Sequence, residues 1–257
     1  LAGFIALDSF KESLDTHLGR NSQAILGADI ALTSYVPFEE KTLNILESQL
    51  PDNTLSTRKI SLFTMVATKD QSRLVQVTGI EQDYPFYGKM ILKNVGSVDP
   101  AKLKQSLDLS GEAWVYPELL YMLELNAGEY IKIGEQSFRI ADSVIVDPSS
   151  SFSSFGLAPR IYLGYSHMEE TALLTKKSRV SHQRLYRVPE GTDLSGLVDK
   201  LQKQINKLDG SDSKIRILTH KRAGNNLGRL MGYLNDYMGL VAMIAVFLAG
   251  IGAAYLF

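Results

Sequence analysis

The sequence predicts an α+β protein: a ferredoxin-like α/β lobe, an inserted β-rich lobe, and stalk and transmembrane helices at both ends. Three observations predict it. Strand-like and helix-like patterns alternate in both flanks of the 257-residue chain, the middle is rich in strand-like segments, and both ends are wholly apolar. We therefore predict that residues 27–98 and 178–222 form the α/β lobe and that residues 99–177 form the insertion.

The first flank has the pattern of a strand, a helix and two further strands. Residues 28–36 place apolar side chains on one parity, which is typical of a half-buried strand. Residues 38–50 carry leucines at helical spacing, and a proline closes that helix. Residues 55–68 and 73–81 are β-rich, and residues 69–72 between them suit a hairpin loop.

The second flank has the pattern of a strand, a helix and one further strand. Residues 178–188 read as a strand, and residues 192–208 form a clear amphipathic helix. An Asp-Gly turn signal then precedes a short strand over residues 214–219. If the two strand–helix–strand units come together, they form one sheet backed by two helices.

The middle of the chain is predicted to be mostly β-structure. The strand-like segments are residues 113–116, 130–133 and 137–146, with a turn between the last two. Short helices are predicted over residues 101–107 and 117–123. Residues 149–156 read as a flexible loop that carries two aromatic side chains.

An aromatic motif, Tyr84-Pro85-Phe86-Tyr87-Gly88, lies just before this middle block. Core packing or a tight turn is the favoured interpretation. A surface contact for an apolar ligand or a partner is the alternative.

The two ends of the chain point to a membrane. The last 20 residues carry no charge and would form a helix about 30 Å long, which matches the hydrocarbon core of a bilayer. Residues 1–7 are also apolar and run into an amphipathic stripe. We predict that residues 1–26 are the end of one transmembrane helix and its stalk, and that residues 223–257 are a stalk and a second transmembrane helix. The alternatives are a cleaved signal peptide at the start and a buried soluble helix at the end.

Small residues recur at four-residue spacing near the second predicted span, which lets another helix backbone approach closely. The predicted helix-packing residues are Gly228, Gly232, Ala245, Ala249 and Ala253. Simple enrichment of Gly and Ala in membrane helices is the alternative.

Catalytic chemistry is not predicted. The chain has no cysteine, which excludes disulfides and thiolate catalysis, and its net charge of -1 argues against nucleic-acid binding. His167 and Glu170 form a lone H-x-x-E pair, for which a surface helix turn is the better interpretation because a metal site needs a third ligand. We predict no catalytic residue, no cofactor and no metal site.

Several segments follow one another in a recognisable order: Leu26-Gly27-Ala28-Asp29, Leu74-Val75, residues 84–88, residues 111–117, residues 123–129, Ile133-Gly134, residues 158–162 and the Gly-Ile-Gly step at residues 250–252. They resemble the periplasmic core of ABC-transporter permeases of the FtsX-like/MacB type, and within that family the YbbP-like branch. The resemblance extends over nearly the whole chain.

The resemblance implies the first periplasmic domain of a permease subunit at the bacterial inner membrane. It implies a non-enzymatic role that transmits motion driven by a separate cytoplasmic ATPase, with ATP on that partner, for export or extraction of an apolar or lipidated cargo. The expected partners are the ATPase subunit, the lipid bilayer, a second copy in a homodimer or pseudo-dimer, and a periplasmic protein. An extracytoplasmic sensor or adhesion module is the alternative, and a membrane-tethered hydrolase would need a catalytic cluster that the sequence lacks.

Overall fold

The computed structural model describes residues 22–68, 71–149, 158–175, 178–208, 215–219, 233, 237–241 and 243. The chain divides into two compact units. One comprises residues 23–220, and the other comprises residues 1–22 and 221–257. The elements below all belong to the first unit.

The described residues contain eleven strands and six helical elements with assigned bounds. The strands are β1 (Ile30–Ser34), β2 (Leu55–Ala67), β3 (Ser72–Ile80), β4 (Ile91–Leu92), β5 (Gly96–Ser97), β6 (Glu112–Val115), β7 (Tyr130–Ile133), β8 (Gln136–Val146), β9 (Arg160–Gly164), β10 (Ser181–Arg187) and β11 (Arg216–Thr219). The α-helices are α1 (Glu40–Glu47), α2 (Pro100–Leu103), α3 (Pro117–Leu123) and α4 (Leu194–Leu208); α2 continues as a π-helix (Lys104–Leu109), and a 3-10 helix spans Tyr165–Met168.

The strands form one large mixed sheet in the order β11-β1-β10-β2-β3-β9-β6-β8-β4-β5, with β7 pairing with both β2 and β8. Strands β11, β1, β10, β2 and β3 pair antiparallel throughout. The parallel pairs are β3 with β9 and β6 with β8. The sheet therefore runs without a break from the flank strands into the strands of the middle block. The lobe boundaries at residues 98–99 and 177–178 stay a prediction.

Three hydrophobic clusters hold the sheet in place. On one face of the flank strands, Ile30 and Leu32 pack with Leu46 of α1 and Leu201 of α4. Because side chains alternate between the faces of a strand, Ala31 points the other way and joins a second cluster with Trp114 and Tyr162. A third cluster fills the space between the middle strands and α3.

The observed elements follow most of the predicted ones. The α3 helix and β7 have the predicted bounds, and α4 begins two residues later than predicted. The helix predicted over residues 101–107 starts one residue earlier, where Asp99 caps it by accepting a 2.8 Å bond from the Lys102 amide, and it then widens into the π-helix. Strands β4, β5 and β9 were not expected as strands.

The α+β class with a large sheet is confirmed. Within the described part of the chain, no helix has both the length and the apolar character needed to cross a bilayer. The predicted spans and stalks lie outside the described residues, apart from residues 22–26 and a few positions between 233 and 243.

Candidate functional site

The best-defined polar site is a junction formed by residues 23–29, the loop 84–88 and the end of β10 at residues 186–188. Residues 22–26 are helical, and Gly27 ends that helix with a φ of +72° while its amide donates a 2.8 Å bond to the Gln23 carbonyl. Glycine is favoured here because the left-handed conformation strains other residues.

The loop 84–88 closes tightly around the end of this helix. The Phe86 amide donates a 2.9 Å bond to the Gly27 carbonyl, and the Tyr84–Pro85 peptide is cis. A Cβ atom on Gly27 would lie 3.2 Å from the Tyr84 ring and 3.3 Å from Pro85. Tyr84 itself is only 3% exposed, so the interpretation of the motif as packing is confirmed for this residue.

Asp29 ties these segments together. Its carboxylate accepts hydrogen bonds from the Gln23 side chain at 2.9 Å, from the Tyr87 hydroxyl at 2.8 Å and from the Val188 amide at 3.0 Å. Its own amide donates a 2.9 Å bond to the Tyr186 carbonyl. One buried side chain therefore connects the end of the helix, the aromatic loop and the sheet, and such charge-assisted bonds are among the stronger ones in proteins.

The electrostatics of Tyr87 favour its role as a donor. Burial, the hydrogen bond to Asp29 and the negative charge of Asp29 raise the pKa of Tyr87, although Arg187 opposes them. The Arg187 guanidinium lies 5.4 Å from the centre of the Tyr87 ring. The Tyr87 hydroxyl therefore stays protonated at neutral pH and can donate its hydrogen bond to Asp29.

A buried ion pair lies next to the junction. Arg160 on β9 contacts Asp147 with Nη1 and Oδ2 2.6 Å apart, and their side chains are 8% and 1% exposed. Asp147 also accepts bonds from the hydroxyls of Tyr116 at 2.7 Å and Tyr162 at 2.5 Å, and both its Oδ1 contacts come from Ser149. Both carboxylate oxygens of Asp147 therefore have hydrogen-bond or ion-pair partners, as a buried charge requires.

Burial by itself would raise the pKa of Asp147, but the Tyr162 hydrogen bond, the Arg160 charge and the Tyr116 hydrogen bond outweigh it, so the pKa is lowered. Burial and the neighbouring carboxylate raise the pKa of Tyr116 and of Tyr162. The cluster is thus a fixed structural charge pair with neutral tyrosines around it.

The junction and the buried pair are in contact through a glycine. A Cβ atom on Gly88, whose φ is +84°, would lie 2.6 Å from the ring of Pro148, the residue after Asp147. The Arg160 Nε then donates a 3.0 Å bond to the Gln76 side chain on β3. A continuous set of contacts therefore runs from the helix end, through the loop 84–88, into the centre of the sheet.

The residues that the sequence analysis singled out have two outcomes in the structure. The helix-packing set of Gly228, Gly232, Ala245, Ala249 and Ala253 lies outside the described residues. The H-x-x-E pair is part of a helical turn as expected, with Nδ1 of His167 and Oε2 of Glu170 3.1 Å apart. Within the described ranges, no group of three or more His, Asp or Glu side chains is arranged to hold a metal ion.

Sequence reasoning missed Asp29, Asp147 and Arg160 as site residues. The aromatic motif at residues 84–88 was the signal for the loop of the junction. In the sequence, Asp29 stands out only as part of a segment that carries the family resemblance, and no local pattern marks its long-range partners.

No protein-family model matches the sequence. A curated relative is the uncharacterized ABC transporter permease YbbP of Escherichia coli strain K12, which is 26% identical over 181 residues. That match covers 70% of this chain but only 21% of the length of YbbP.

The fold is shared with a solved structure. The periplasmic region of MacB from Actinobacillus actinomycetemcomitans has a TM-score of 0.51 and 13% identity, covering 80% of this chain and 95% of that one. The extracellular domain of the noncanonic ABC-type transporter YknZ from Gram-positive bacteria has a TM-score of 0.48 and 12% identity, covering 74% of this chain and 100% of that one. Because the second score lies below 0.5, the shared fold rests on MacB.

The sequence match to an ABC-transporter permease and the fold shared with the MacB periplasmic region confirm the resemblance of this chain to the periplasmic core domain of FtsX/MacB-like ABC-transporter permeases.

Proposed function

We propose that this chain is the periplasmic core domain of an ABC-transporter permease subunit and that it transmits ATPase-driven motion across the membrane. The motion serves export or extraction of an apolar or lipidated cargo. The single observation that carries the proposal is the junction at Asp29, where one carboxylate joins the end of a helix, the loop 84–88 and β10.

A rigid connection at this point is what force transmission needs. A helix that ends in a freely rotating linker would dissipate a tilt, whereas buried hydrogen bonds and tight packing pass it on as a rigid-body movement. Little space remains here for a freely rotating linker, because Gly27 packs closely against Tyr84 and Pro85, and Gly88 packs closely against Pro148. We propose that residues 7–23 and 225–236 are the helical levers on either side.

The remaining parts of the proposal follow from the family. The α/β lobe from both flanks, which is ferredoxin-like, carries the β-rich insertion, and transmembrane helices anchor both ends in the bacterial inner membrane with the bulk of the segment periplasmic. The partners are a cytoplasmic ATPase subunit, lipid, a second copy or pseudo-copy of the permease, and a periplasmic protein. In this proposal the segment itself is not an enzyme and holds no cofactor, and ATP is hydrolysed on the partner subunit.

The experiment measures movement in the full-length permease that carries this chain, assembled with its ATPase in nanodiscs. The chain has no cysteine, so Tyr121→Cys, at a position 88% exposed, gives one dye site within it. A second dye is placed on the ATPase subunit. We expect ATP binding to change the energy transfer between the dyes, and we expect Asp29→Asn to reduce that change while ATP hydrolysis continues.

Asp83→Asn is the matched control, because Asp83 is an exposed carboxylate beside the same loop. It should behave as the unsubstituted protein. An ATP-independent dye separation in the unsubstituted complex would refute motion transmission. A full-length protein with no further apolar spans and no bound ATPase would instead favour the sensor or adhesion module.

A further inference from the structure

The H-x-x-E pair that the proposed function does not use lies at a tight contact between two helical segments. Nε2 of His167 lies 2.8 Å from the backbone carbonyl oxygen of Asp108, at the end of the π-helix Lys104–Leu109. Nδ1 lies 3.1 Å from a carboxylate oxygen of Glu170. The imidazole thus connects the 3-10 helix Tyr165–Met168 to the π-helix. His167 and Asp108 are 59 residues apart in the sequence.

Both ring nitrogens of His167 face acceptors, and this fixes the protonation state that suits the site. A neutral imidazole has one N–H donor, so one of its two nitrogens would turn a lone pair toward an acceptor. Only the doubly protonated imidazolium donates to both oxygens. The geometry therefore favours the charged form of His167 independently of any pKa value.

The neighbouring residues leave the His167 ring little room to move. A Cβ atom on Gly111 would lie 3.4 Å from the imidazole, and the Phe138 ring on β8 meets it edge-on with centroids 6.4 Å apart. A Cβ atom on Gly164 would lie 2.6 Å from both the Leu107 carbonyl oxygen and a carboxylate oxygen of Asp108. The π-helix and the residue that precedes the 3-10 helix are therefore in direct contact, so a change in the position of the His167 ring would affect both segments.

The charged groups near the ring are mostly acidic. Glu170 and the Asp108 carboxylate act directly on His167, while Glu81 and Lys104 act on Asp108. Burial lowers the pKa of His167, but the hydrogen bonds to Glu170 and to the Asp108 carbonyl, with the negative charges, outweigh burial and raise it. The direction agrees with the geometry.

The 3-10 helix also forms one wall of a groove in the described part of the chain. The groove has a volume of about 1070 Å³, with Tyr165 and Met168 on this wall and Tyr35 and Phe38 on the side of α1. His182 and Arg184 of β10 also line it. A shift of the 3-10 helix would therefore move Tyr165 and Met168, two of the residues that line the groove.

We propose that His167 is a pH-dependent latch that, when doubly protonated, fixes the 3-10 wall of the groove to the π-helix through Asp108 and Glu170. Deprotonation removes one of the two donated hydrogen bonds and turns a lone pair toward an acidic partner. The latch is complete below the ordinary pKa of histidine, about 6.5, and it is lost as the pH rises through the raised pKa of the folded protein. The wall loosens in alkaline surroundings.

The experiment uses the 257-residue chain in detergent micelles and follows amide hydrogen exchange, corrected for the intrinsic rate at each pH. We expect protection of residues 104–111 and 165–170 to fall about three- to fivefold between about pH 5.5 and about pH 8.5, the scale of one partly exposed charge-assisted bond. Nitrogen-detected NMR of His167 should show both ring nitrogens protonated at the lower pH.

Two variants separate the latch from a general pH effect. His167→Gln keeps a donor but cannot titrate, so the protection of these segments should no longer depend on pH. Glu170→Gln keeps the histidine and should lower its measured pKa. A fall in protection that persists in His167→Gln, or a pKa of His167 at or below the ordinary value in the unsubstituted chain, would overturn the latch; if His167→Gln does not fold, the pKa and the Glu170→Gln comparison still decide it.

Discussion

Tyr87 donates a 2.8 Å hydrogen bond to Asp29 across 58 residues of sequence. The bond joins an aromatic loop to the residue that leads from a helix into the first strand of the sheet. Because Asp29 also accepts a hydrogen bond from the Val188 amide, 159 residues away, one carboxylate holds the residue before β1 and the residue after β10 together. Substitution of the residues at this junction should therefore change the free energy of unfolding.

We expect Tyr87→Phe to lower the free energy of unfolding by about 1 kcal/mol, because it removes one hydrogen bond to a charged, buried acceptor and keeps the ring. Chemical denaturation of the 257-residue chain in detergent measures the change. Tyr121→Phe is the control, since Tyr121 is 88% exposed and should change stability by less than about 0.5 kcal/mol. Equal stability of the two variants would show that the Asp29 bond does not stabilise the junction.

Arg160→Met should be far more damaging than loss of an exposed arginine. It leaves Asp147 buried without its cation, which costs about 3–5 kcal/mol. Arg58→Met breaks a pair with Glu81 in which the arginine side chain is 48% exposed, and such surface pairs contribute about 0–1 kcal/mol. The same denaturation experiment compares them, and similar losses in the two variants would contradict the assigned burial.

Acid should destabilise the fold partly through Asp147. Its pKa in the folded protein is lowered below the unfolded value of 3.8, so its contribution is fully present above that value and is lost as the pH falls through the folded pKa. We expect the stability lost between about pH 6 and about pH 3 to be smaller in Asp147→Asn, which cannot titrate. An identical pH dependence in both proteins would assign the acid sensitivity to other carboxylates.

Local patterns were sufficient for the elements with a clear period. The amphipathic stripe of α4 buries Leu197, Val198, Leu201 and Ile205, and a proline marks the start of α3. Strand β9 has all five residues buried, so it lacks the alternation that identifies a half-buried strand. Strands β4 and β5 are two residues long, too short for any period.

The junction was harder to predict for a different reason. Its aromatic loop is recognisable in the sequence, but the hydrogen bonds of Asp29 and the Asp147–Arg160 pair depend on contacts between distant segments. A single sequence carries no record of which carboxylate meets which donor. Asp29 belongs to a segment that carries the family resemblance, but the resemblance does not indicate which residues donate hydrogen bonds to it.

The small residues of the predicted second stalk and span give a prediction that rests on sequence alone. We expect Gly228→Leu and Ala249→Leu to weaken assembly of the full-length permease, because a bulky side chain keeps a neighbouring helix from approaching closely. Crosslinking and ATP turnover in nanodiscs measure assembly and coupling. Unchanged assembly and coupled turnover in both variants would refute the helix-packing assignment.

Gly88→Ala tests whether the junction is tightly closed against the buried pair. Any side chain at a φ of +84° is strained, and a Cβ atom here would also lie 2.6 Å from Pro148 and 3.2 Å from Ala24. Gly191 has the same φ of +84° but no heavy atom within 4 Å of its would-be Cβ. Gly191→Ala therefore measures the backbone strain alone, about 1 kcal/mol, and the difference between the two variants measures the closeness of the contact.

We expect Gly88→Ala to be less stable than Gly191→Ala by about 1–3 kcal/mol, the usual penalty for overpacking a well-filled site. Because Pro148 is a rigid ring next to Asp147, it cannot rotate away as a long flexible side chain would. If the two alanine variants are equally stable, the loop 84–88 yields without resistance, and the contacts between the helix end and the centre of the sheet cannot act as a rigid connection.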